Sequence, residues 1–387
     1  MNTTGPPSSF WTTAKLDEMS NTGDPEADAL VQAYLAASGV TSPALMADMV
    51  RHKALPPDEE FPAIAEYLAA RPALPGWVDG DAVQRCERLF GDDGPAMGWA
   101  MFCVSFPASY ASFRGARILS FTGRLSSHPK RRLMETTQLV WDSMQPGGLT
   151  VGGAGWIDAR RVRLMHAVVR QIILADPSAP HPSDGKPAWQ PEWGTPINQM
   201  ELAAFIMPMT LTVFDCLHIL GFDLTESQKE DLLHTWCVIG HVMGVADGLL
   251  PMNLESATAF WTKVQAREYR HNKDGVTLMA AHNEMLAGLA PGLLKHLPET
   301  VQRVVLGDEL CDMLEIGKAN WTRHLFGVAR AITSRLWLAE LHDKGLAKIA
   351  DKMGRTAIDG FLTLERGGER PKFEIPDELA TAWNIGT

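Results

Sequence analysis

The sequence has few cysteines and none of the close cysteine pairs that mark zinc ribbons or disulfide frameworks. Its five cysteines, Cys86, Cys103, Cys216, Cys237 and Cys311, are odd in number and scattered along the chain. We therefore predict that they are reduced core residues. No Cys-x-x-Cys-His segment is present, which excludes the covalent attachment that c-type haem requires.

Basic charge is also scarce. The chain has 35 Lys and Arg against 46 Asp and Glu, a formal net charge of -11 and a pI near 5.6. Phosphate binding needs Lys and Arg clustered on one face, and the densest basic run, Lys130-Arg131-Arg132, is short. This excludes nucleic acid as the expected partner and favours a small-molecule or apolar partner.

The sequence lacks a secretory leader and a membrane span. Residues 1–21 are rich in Pro, Ser and Thr, without a basic start or an apolar run. No stretch reaches the roughly 20 unbroken apolar residues that a span requires. We expect a cytoplasmic chain, although a mature protein stripped of its leader would look the same, and a monomer or weak homo-oligomer.

Alternating strand-like segments are nearly absent, whereas helical periodicity runs through most of the chain, so we predict an all-α fold. The 45% hydrophobic composition is ample for a large core. We predict a flexible N-terminal arm at 1–21 and one helical domain at 22–387. Asp24-Pro25 is predicted to start its first helix. Further helices are expected at about 43–53, 58–70, 81–90, 95–108, 127–143 and 157–174, with a long loop at 177–196.

One candidate site lies in the predicted helix at 157–174. Val162, His166, Val169 and Ile173 fall on one helical stripe, which places an imidazole on an apolar face. A neutral imidazole is a common metal ligand, and a flat apolar cofactor suits that environment. Arg163 and Arg170, three residues before His166 and four after it, could pair with carboxylates. The alternative is a hydrogen-bonded core histidine flanked by surface arginines.

A second candidate site follows His128-Pro129. Arg132 and Thr136 lie one helical turn apart and share a face. A guanidinium and a hydroxyl that project together could hydrogen-bond a bound oxygen species or stabilise charge developing on it. The alternative is a solvated helix start. His234 and His241 also share a helix face, but we predict core or surface histidines there.

Together the two segments resemble a known family. Arg132-x-x-Glu135-Thr136, followed 34 residues after Arg132 by Arg163-x-x-His166-x-x-x-Arg170, is similar to the latex-clearing protein or rubber oxygenase family and its MpaB-type relatives. The segments Thr122-Gly123-Arg124-Leu125, Gly194-Thr195-Pro196-Ile197-Asn198-Gln199 and Gly240-His241-Val242-Met243-Gly244-Val245 add to the resemblance, which is clear over about 90–265.

The resemblance implies a globin-like helical core that binds haem b, with His166 as the proximal ligand and the iron as its only metal. Arg132 and Thr136 would lie on the distal side. Characterised members of the family cleave polyisoprene double bonds with dioxygen, giving aldehydes and ketones. The carboxylates that Arg163 and Arg170 could pair with, from their spacing around His166, include the haem propionates.

Two positions depart from the family pattern. Glu135 stands where the latex-clearing enzymes typically carry a lysine, and Ala116 stands where a glutamate is proposed as the catalytic base. Glu135 could act as the base, because an apolar pocket raises a carboxyl pKa into the range of proton transfer near neutrality. Alternatively, the active site lacks an acid because the substrate is different, or Glu135 points to solvent.

Four functional hypotheses follow. The first is a haem-b oxygenase (dioxygenase) that cleaves C=C bonds of an isoprenoid or similar apolar substrate. The second is a haem peroxidase or peroxygenase that uses hydrogen peroxide at the same iron. The third is a non-enzymatic, globin-like haem sensor or carrier. The fourth is a haem-free helical scaffold.

Overall fold

The computed structural model describes residues 5–39, 41, 62–121, 129–181, 183–289 and 296–319. The side chains at 38, 62–63, 95, 129–135 and 288–289 lie outside this description. The described residues form helices and no β-strand, apart from isolated bridges at Ser112–Tyr269 and Pro180–Pro187. The all-α prediction is confirmed. The helix predicted at 43–53 and the first four residues of the one predicted at 58–70 lie outside the described residues.

The described helices are numbered here in chain order. They are α1 Thr13–Ser20, α2 Pro25–Ser38, α3 Pro62–Ala69, α4 Gly80–Ala100, α5 Phe106–Tyr110, α6 Phe113–Phe121, α7 Pro129–Met144, α8 Ala154–Ala175, α9 Gln199–Ile206, α10 Leu211–Leu220, α11 Glu226–Val242, α12 Leu254–Glu268, α13 Lys273–Leu289 and α14 Leu297–Met313. Helix α4 packs on α11, and α8 packs on α2, α7 and α11.

Local sequence sets several helix starts. Asp24 caps α2 by accepting the backbone N–H of Ala27, and Pro25 takes the first helical position, as predicted. Asn198 forms a reciprocal capping box with Glu201 at the start of α9. These caps place the N termini of α2 and α9 beside α8, where the candidate site residues lie.

The break predicted at 91–95 was wrong, because α4 runs through it. Helix α4 packs along α11, and tertiary packing of this kind outweighs the low helix propensity of Gly and Pro. The irregularity comes one turn later, as a π-helix at Met101–Ser105. The carbonyl of Phe102, within this π-helix, accepts a 2.7 Å hydrogen bond from His282 Nε2.

The segment 1–21 differs from the flexible arm that the sequence predicted. Its described part, from residue 5, contains α1, and Trp11, Leu16 and Met19 are all buried. Trp11 Nε1 donates to Ser256 Oγ at 2.8 Å, and its ring lies 4.6 Å from that of Phe260. The segment packs on the helical body because these apolar side chains have a buried surface to cover.

The prediction that the cysteines are core residues is consistent with the structure. All five cysteines are free and buried. The sequence was predicted to contain no membrane span, but the stretch Gln199–Leu220 is long and apolar enough to cross a membrane by length and composition. It covers α9 and α10, and 67% of it is buried inside the protein, which is also typical of a core helix. The far end of the domain predicted at 22–387 lies outside the described residues.

Candidate functional site

The candidate site residues lie on a helical hairpin formed by α7 and α8, which pack against each other. At its closed end the two backbones nearly touch, since a Cβ on Gly155 would lie 2.2 Å from the Ser143 Cα. The backbone N–H of Trp156 donates to the Gly148 carbonyl, which fixes the connecting loop. Only glycine allows this approach, and the contact sets the register between the two helices.

The register places the two predicted sets of residues at one level. Arg132 precedes Ser143 by 11 residues (143 − 132), and His166 follows Gly155 by 11 residues (166 − 155). At about 1.5 Å per residue, both positions lie about 16 Å along their helices from the closed end. Thr136, one turn closer, is half-buried. The motifs recognised in the sequence therefore occupy matching levels on adjacent helices.

His166 lies at the boundary between the core and a more open part of α8. Val162, Met165 and His166 are half-buried, whereas Val169 and Ile173, on the same stripe, are buried. His166 Nδ1 is shielded from solvent. Within the described residues, no three His, Cys, Asp or Glu side chains form a metal-binding group. A single accessible imidazole among apolar side chains fits an axial haem ligand.

The two arginines flanking His166 bind carboxylates of the chain itself. Arg163 makes a bidentate pair with Asp24, Nε–Oδ2 2.5 Å and Nη2–Oδ1 2.8 Å, and also contacts Glu26. Arg170 pairs with Asp28 and donates to the carbonyls of Pro196 and Ile197 at 2.8 Å and 2.6 Å. We call Asp24, Asp28, Arg163 and Arg170 the α2–α8 clamp.

The clamp corrects the interpretation of these arginines as surface residues, because the Arg170 side chain is 1% exposed and that of Arg163 is 14% exposed. The carboxylate pairing that the sequence suggested is met by two aspartates of α2. The spacing within α8 gave no sign of these partners, which lie about 140 residues earlier in the chain. Contact of Arg163 and Arg170 with a cofactor stays a prediction.

Two of the other segments that carried the family resemblance, 194–199 and 240–245, contact each other beside α8, whereas the segment 122–125 lies outside the described residues. Gln199 is buried and donates through Nε2 to the carbonyls of Gly23 and Gly244, at 2.8 Å and 2.9 Å. Its Oε1 accepts the backbone N–H of Ala246 at 2.9 Å. Ile197, whose carbonyl binds Arg170, has a φ of 51°, which is strained for a β-branched residue. These segments hold the helix that carries His166.

A buried acidic cluster adjoins this region, and sequence reasoning missed it. Glu201 uses Oε2 to accept the Asn198 N–H, while its Oε1 is buried and has no hydrogen-bond partner among the described residues. Burial raises the pKa of Glu201 to about 7; the nearby Arg114 opposes this rise, and Glu268 adds to it. Arg114 and Glu268 form a buried ion pair. In the sequence, the pattern that could have pointed to Glu201 was the capping box at 198–201.

A second acidic contact lies toward the closed end of the hairpin. Asp158 of α8 faces Asp142 of α7, and its pKa rises to about 6, chiefly because the carboxyl is buried and further because Asp142 is close. Arg161 lowers it in part. The hairpin therefore carries, apart from the predicted site residues, a carboxyl group at Asp158 that binds a proton near pH 6.

The comparisons with known proteins agree with this geometry. The family described as "ER-bound oxygenase mpaB/B'/Rubber oxygenase, catalytic domain" matches residues 88–334, which is more than half of the chain. The chain belongs to this rubber oxygenase/mpaB family. Its matched range contains α7, α8 and every residue predicted for the site.

Two known proteins extend the comparison. The rubber oxygenase of Streptomyces sp. (strain K30) is 24% identical over 266 residues, 69% of this chain and 63% of that enzyme. A solved structure of the latex clearing protein LCP in the closed state superposes with a TM-score of 0.64. It is 21% identical and covers 82% of this chain and 84% of the other, so it supports the shared fold.

In this member of the rubber oxygenase family the structure describes only some of the residues that were predicted for the distal side of the haem. Arg132 and Glu135 belong to α7, but their side chains lie outside the described part of the structure. Ala116, in α6, is fully buried. No carboxylate stands at that position, so any base must come from elsewhere. Glu135 as the base stays a prediction.

The two other histidines considered from the sequence are held by protein groups. His234 Nε2 accepts the Asp79 N–H at 2.9 Å, and His241 Nδ1 lies 2.6 Å from Asp247 Oδ1. Both rings pack edge-on against Trp77. This agrees with the prediction of core or surface histidines.

A cavity of about 630 Å³ lies between α4, the loop that joins α7 to α8, and Val238. The surface that lines the cavity is largely apolar. Glu87 and Gly147 both line it, and the Glu87 carboxylate accepts the Gly147 N–H at 2.9 Å. None of the predicted site residues lines it. The cavity is therefore distinct from the site on the hairpin.

Proposed function

We propose that this chain is a haem-b oxygenase that uses dioxygen to cleave C=C bonds of an isoprenoid or similar apolar substrate. Each carbon of the broken double bond would gain one oxygen atom, so the products are an aldehyde and a ketone. Short terpenoids, lipids and natural-product intermediates are candidate substrates. The proposal is supported most by family membership together with the matched levels of positions 132 and 166 on the hairpin.

His166 would hold the haem iron from the proximal side. The half-buried, apolar surroundings of its imidazole support this assignment, because they exclude water from one face of a flat cofactor. Bound haem would supply the iron at which dioxygen is activated. The hydrogen bond that orients the other ring nitrogen normally tunes such a ligand, so the buried Nδ1 is the atom to probe.

The residues of α7 would act on the opposite side. Arg132 carries a fixed positive charge that stabilises negative charge developing on oxygen, and the Thr136 hydroxyl can donate a hydrogen bond to the same atom. Glu135 would accept a proton from the substrate and return it before the products leave, since the overall cleavage neither releases nor consumes protons. Because residue 116 is alanine, replacing Glu135 by glutamine is expected to slow turnover by 10²–10⁴-fold, the usual range for loss of a general base.

The first experiment is the absorption spectrum of protein purified from haem-sufficient cells, beside His166→Ala and the control His218→Ala. His218 lies on an exposed part of α10 and pairs with Asp223, so its loss should leave haem content unchanged. We expect a strong Soret band in the wild type and in His218→Ala, and a lost or much weaker band in His166→Ala. A wild-type protein that stays colourless with added haemin would overturn the proposal.

The second experiment identifies the oxidant. Haem-loaded protein is incubated with squalene, used as a short isoprenoid probe, under ¹⁸O₂, and the carbonyl products are analysed by mass spectrometry. Label in both product carbonyls supports the dioxygenase. Turnover that requires hydrogen peroxide and continues without dioxygen would indicate a peroxygenase, and reversible oxygen binding without products would indicate a sensor or carrier.

A further inference from the structure

Two ion pairs flank His166 along α8, one at Arg163 and one at Arg170. Arg163 and Arg170 are seven residues apart, which brings them to within about 20° of one helix face. Their partners Asp24 and Asp28 are one turn apart on α2. Two attachment points on one face fix both the rotation and the axial position of α8, and His166 lies between them.

We propose that Asp24 and Asp28 are positioning residues for His166, acting through Arg163 and Arg170. This inference rests on the proposed function, since the imidazole is positioned for a haem iron. The aspartates need not touch the cofactor. They hold the helix so that the imidazole projects from the adjacent, half-buried surface of α8.

The charged groups of the clamp are mostly buried, which limits their movement. The Asp24 side chain is 4% exposed and that of Arg170 is 1% exposed, so these charges are shielded from water and their attraction is little screened. Removing one partner of such a pair leaves an uncompensated buried charge, which is strongly unfavourable. The clamp therefore resists rotation of α8 more firmly than surface ion pairs would.

Two glycines leave room for the clamp. A Cβ on Gly244 would lie 2.2 Å from Asp24 Oδ2 and 2.8 Å from Arg163 Nε. A Cβ on Gly23 would lie 2.7 Å from Asp28 Oδ2. The backbone therefore packs directly on each ion pair. The Gln199 side chain donates hydrogen bonds to the carbonyls of both glycines and so links the two segments.

The test uses the full-length protein with Asp24→Asn and Asp28→Asn. Asparagine keeps the size of aspartate and is as good an N-cap, so Asp24→Asn removes the charge without removing the cap of α2. The control is Glu26→Gln. Glu26 contacts the same guanidinium at 2.8 Å, but its side chain is 68% exposed.

The readout is the rate at which haem transfers from each protein to excess apomyoglobin, together with the Soret position and the far-UV circular dichroism of the haem-free protein. We expect both Asn variants to remain helical and to lose haem about 10–100-fold faster, the usual cost of removing a partner that orients a metal ligand. Glu26→Gln should behave as the wild type.

Folded Asn variants with the wild-type transfer rate and Soret position would overturn the inference. If both Asn variants fail to fold, Asp28→Glu replaces them, because it keeps the charge but displaces Arg170 by one methylene. An intermediate transfer rate supports positioning, and a wild-type rate contradicts it. A wild-type protein that takes up no haem refutes the proposed function itself, and the inference falls with it.

Discussion

Gly155 shows how the absence of a side chain at one residue controls the geometry of the candidate site. It lies in the first turn of α8, where the α7 backbone at Ser143 leaves no space for a methyl group. Position 132 is placed opposite position 166 by the register that this contact sets. A change at residue 155 is therefore expected to act on stability and on the site together.

We predict that Gly155→Ala lowers the free energy of unfolding by about 3 kcal/mol, because the added Cβ must push α7 and α8 apart. Gly98→Ala is the matched control, since it also lies inside a helix but has no atom within 4 Å of the added Cβ. The control should gain about 0.5–1 kcal/mol from alanine's helix propensity. Urea unfolding followed by circular dichroism measures both; equal stabilities would show that the hairpin contact is not tight.

At the scale of elements, the N-terminal segment contributes more than its composition indicated. Residues 20–23 bind the stretch 195–199 through backbone hydrogen bonds, including Thr195 N to Ser20 O and Gln199 N to Thr22 O. That stretch carries the carbonyls that hold Arg170. The segment is thereby connected to the helix of His166 through two layers of hydrogen bonds.

We predict that Trp11→Ala destabilises the protein by about 3–5 kcal/mol, the usual cost of deleting a buried aromatic side chain. Glu18→Ala is the control in the same segment. Its side chain is 65% exposed and pairs with Lys15, so its loss should change stability by less than about 1 kcal/mol. If Trp11→Ala unfolds at the wild-type urea concentration, the segment is the flexible arm that the sequence suggested.

The sequence predicted the helices that carry the site, because Pro129 and the Gly-rich stretch before residue 154 give clear local boundaries. It failed at 91–95, where buried packing overrides Gly and Pro. It also failed to pair Arg163 with Asp24 and Arg170 with Asp28, because helical spacing reports only which residues share a face. Contacts between segments 140 residues apart depend on how whole helices pack.

At the scale of the whole molecule, two buried groups on different helices respond to pH in opposite ways. Burial raises the pKa of Glu201 on α9 to about 7 and lowers the pKa of His282 on α13 to about 4. His282 is fully buried, with Nε2 donating to Phe102 O and Nδ1 facing the Tyr110 hydroxyl. Around Glu201 the charged groups are Arg114 and Glu268, and neither Glu201 nor His282 shifts the pKa of the other.

The sign of each effect follows from the difference in bound protons between the unfolded and folded states. The unfolded carboxyl of Glu201 ionises above about pH 4.5 while the folded one keeps its proton to about 7, so wild-type stability falls relative to Glu201→Gln as pH rises through that window. The unfolded imidazole of His282 binds a proton below about 6.5 while the folded one stays neutral to about 4. Wild-type stability therefore falls relative to His282→Gln as pH drops.

We predict opposite slopes for the two variants and near cancellation in the double variant. The free energy of unfolding of Glu201→Gln, minus that of the wild type, should increase with pH between about 5 and 6, and that of His282→Gln should decrease. Glutamine suits position 282 because its amide nitrogen can still donate to Phe102 O. Since sites without shared partners act additively, the double variant should show a flat difference over this range. Urea unfolding at several pH values measures these slopes, and equal slopes for both single variants would contradict the assignment of the two buried protons.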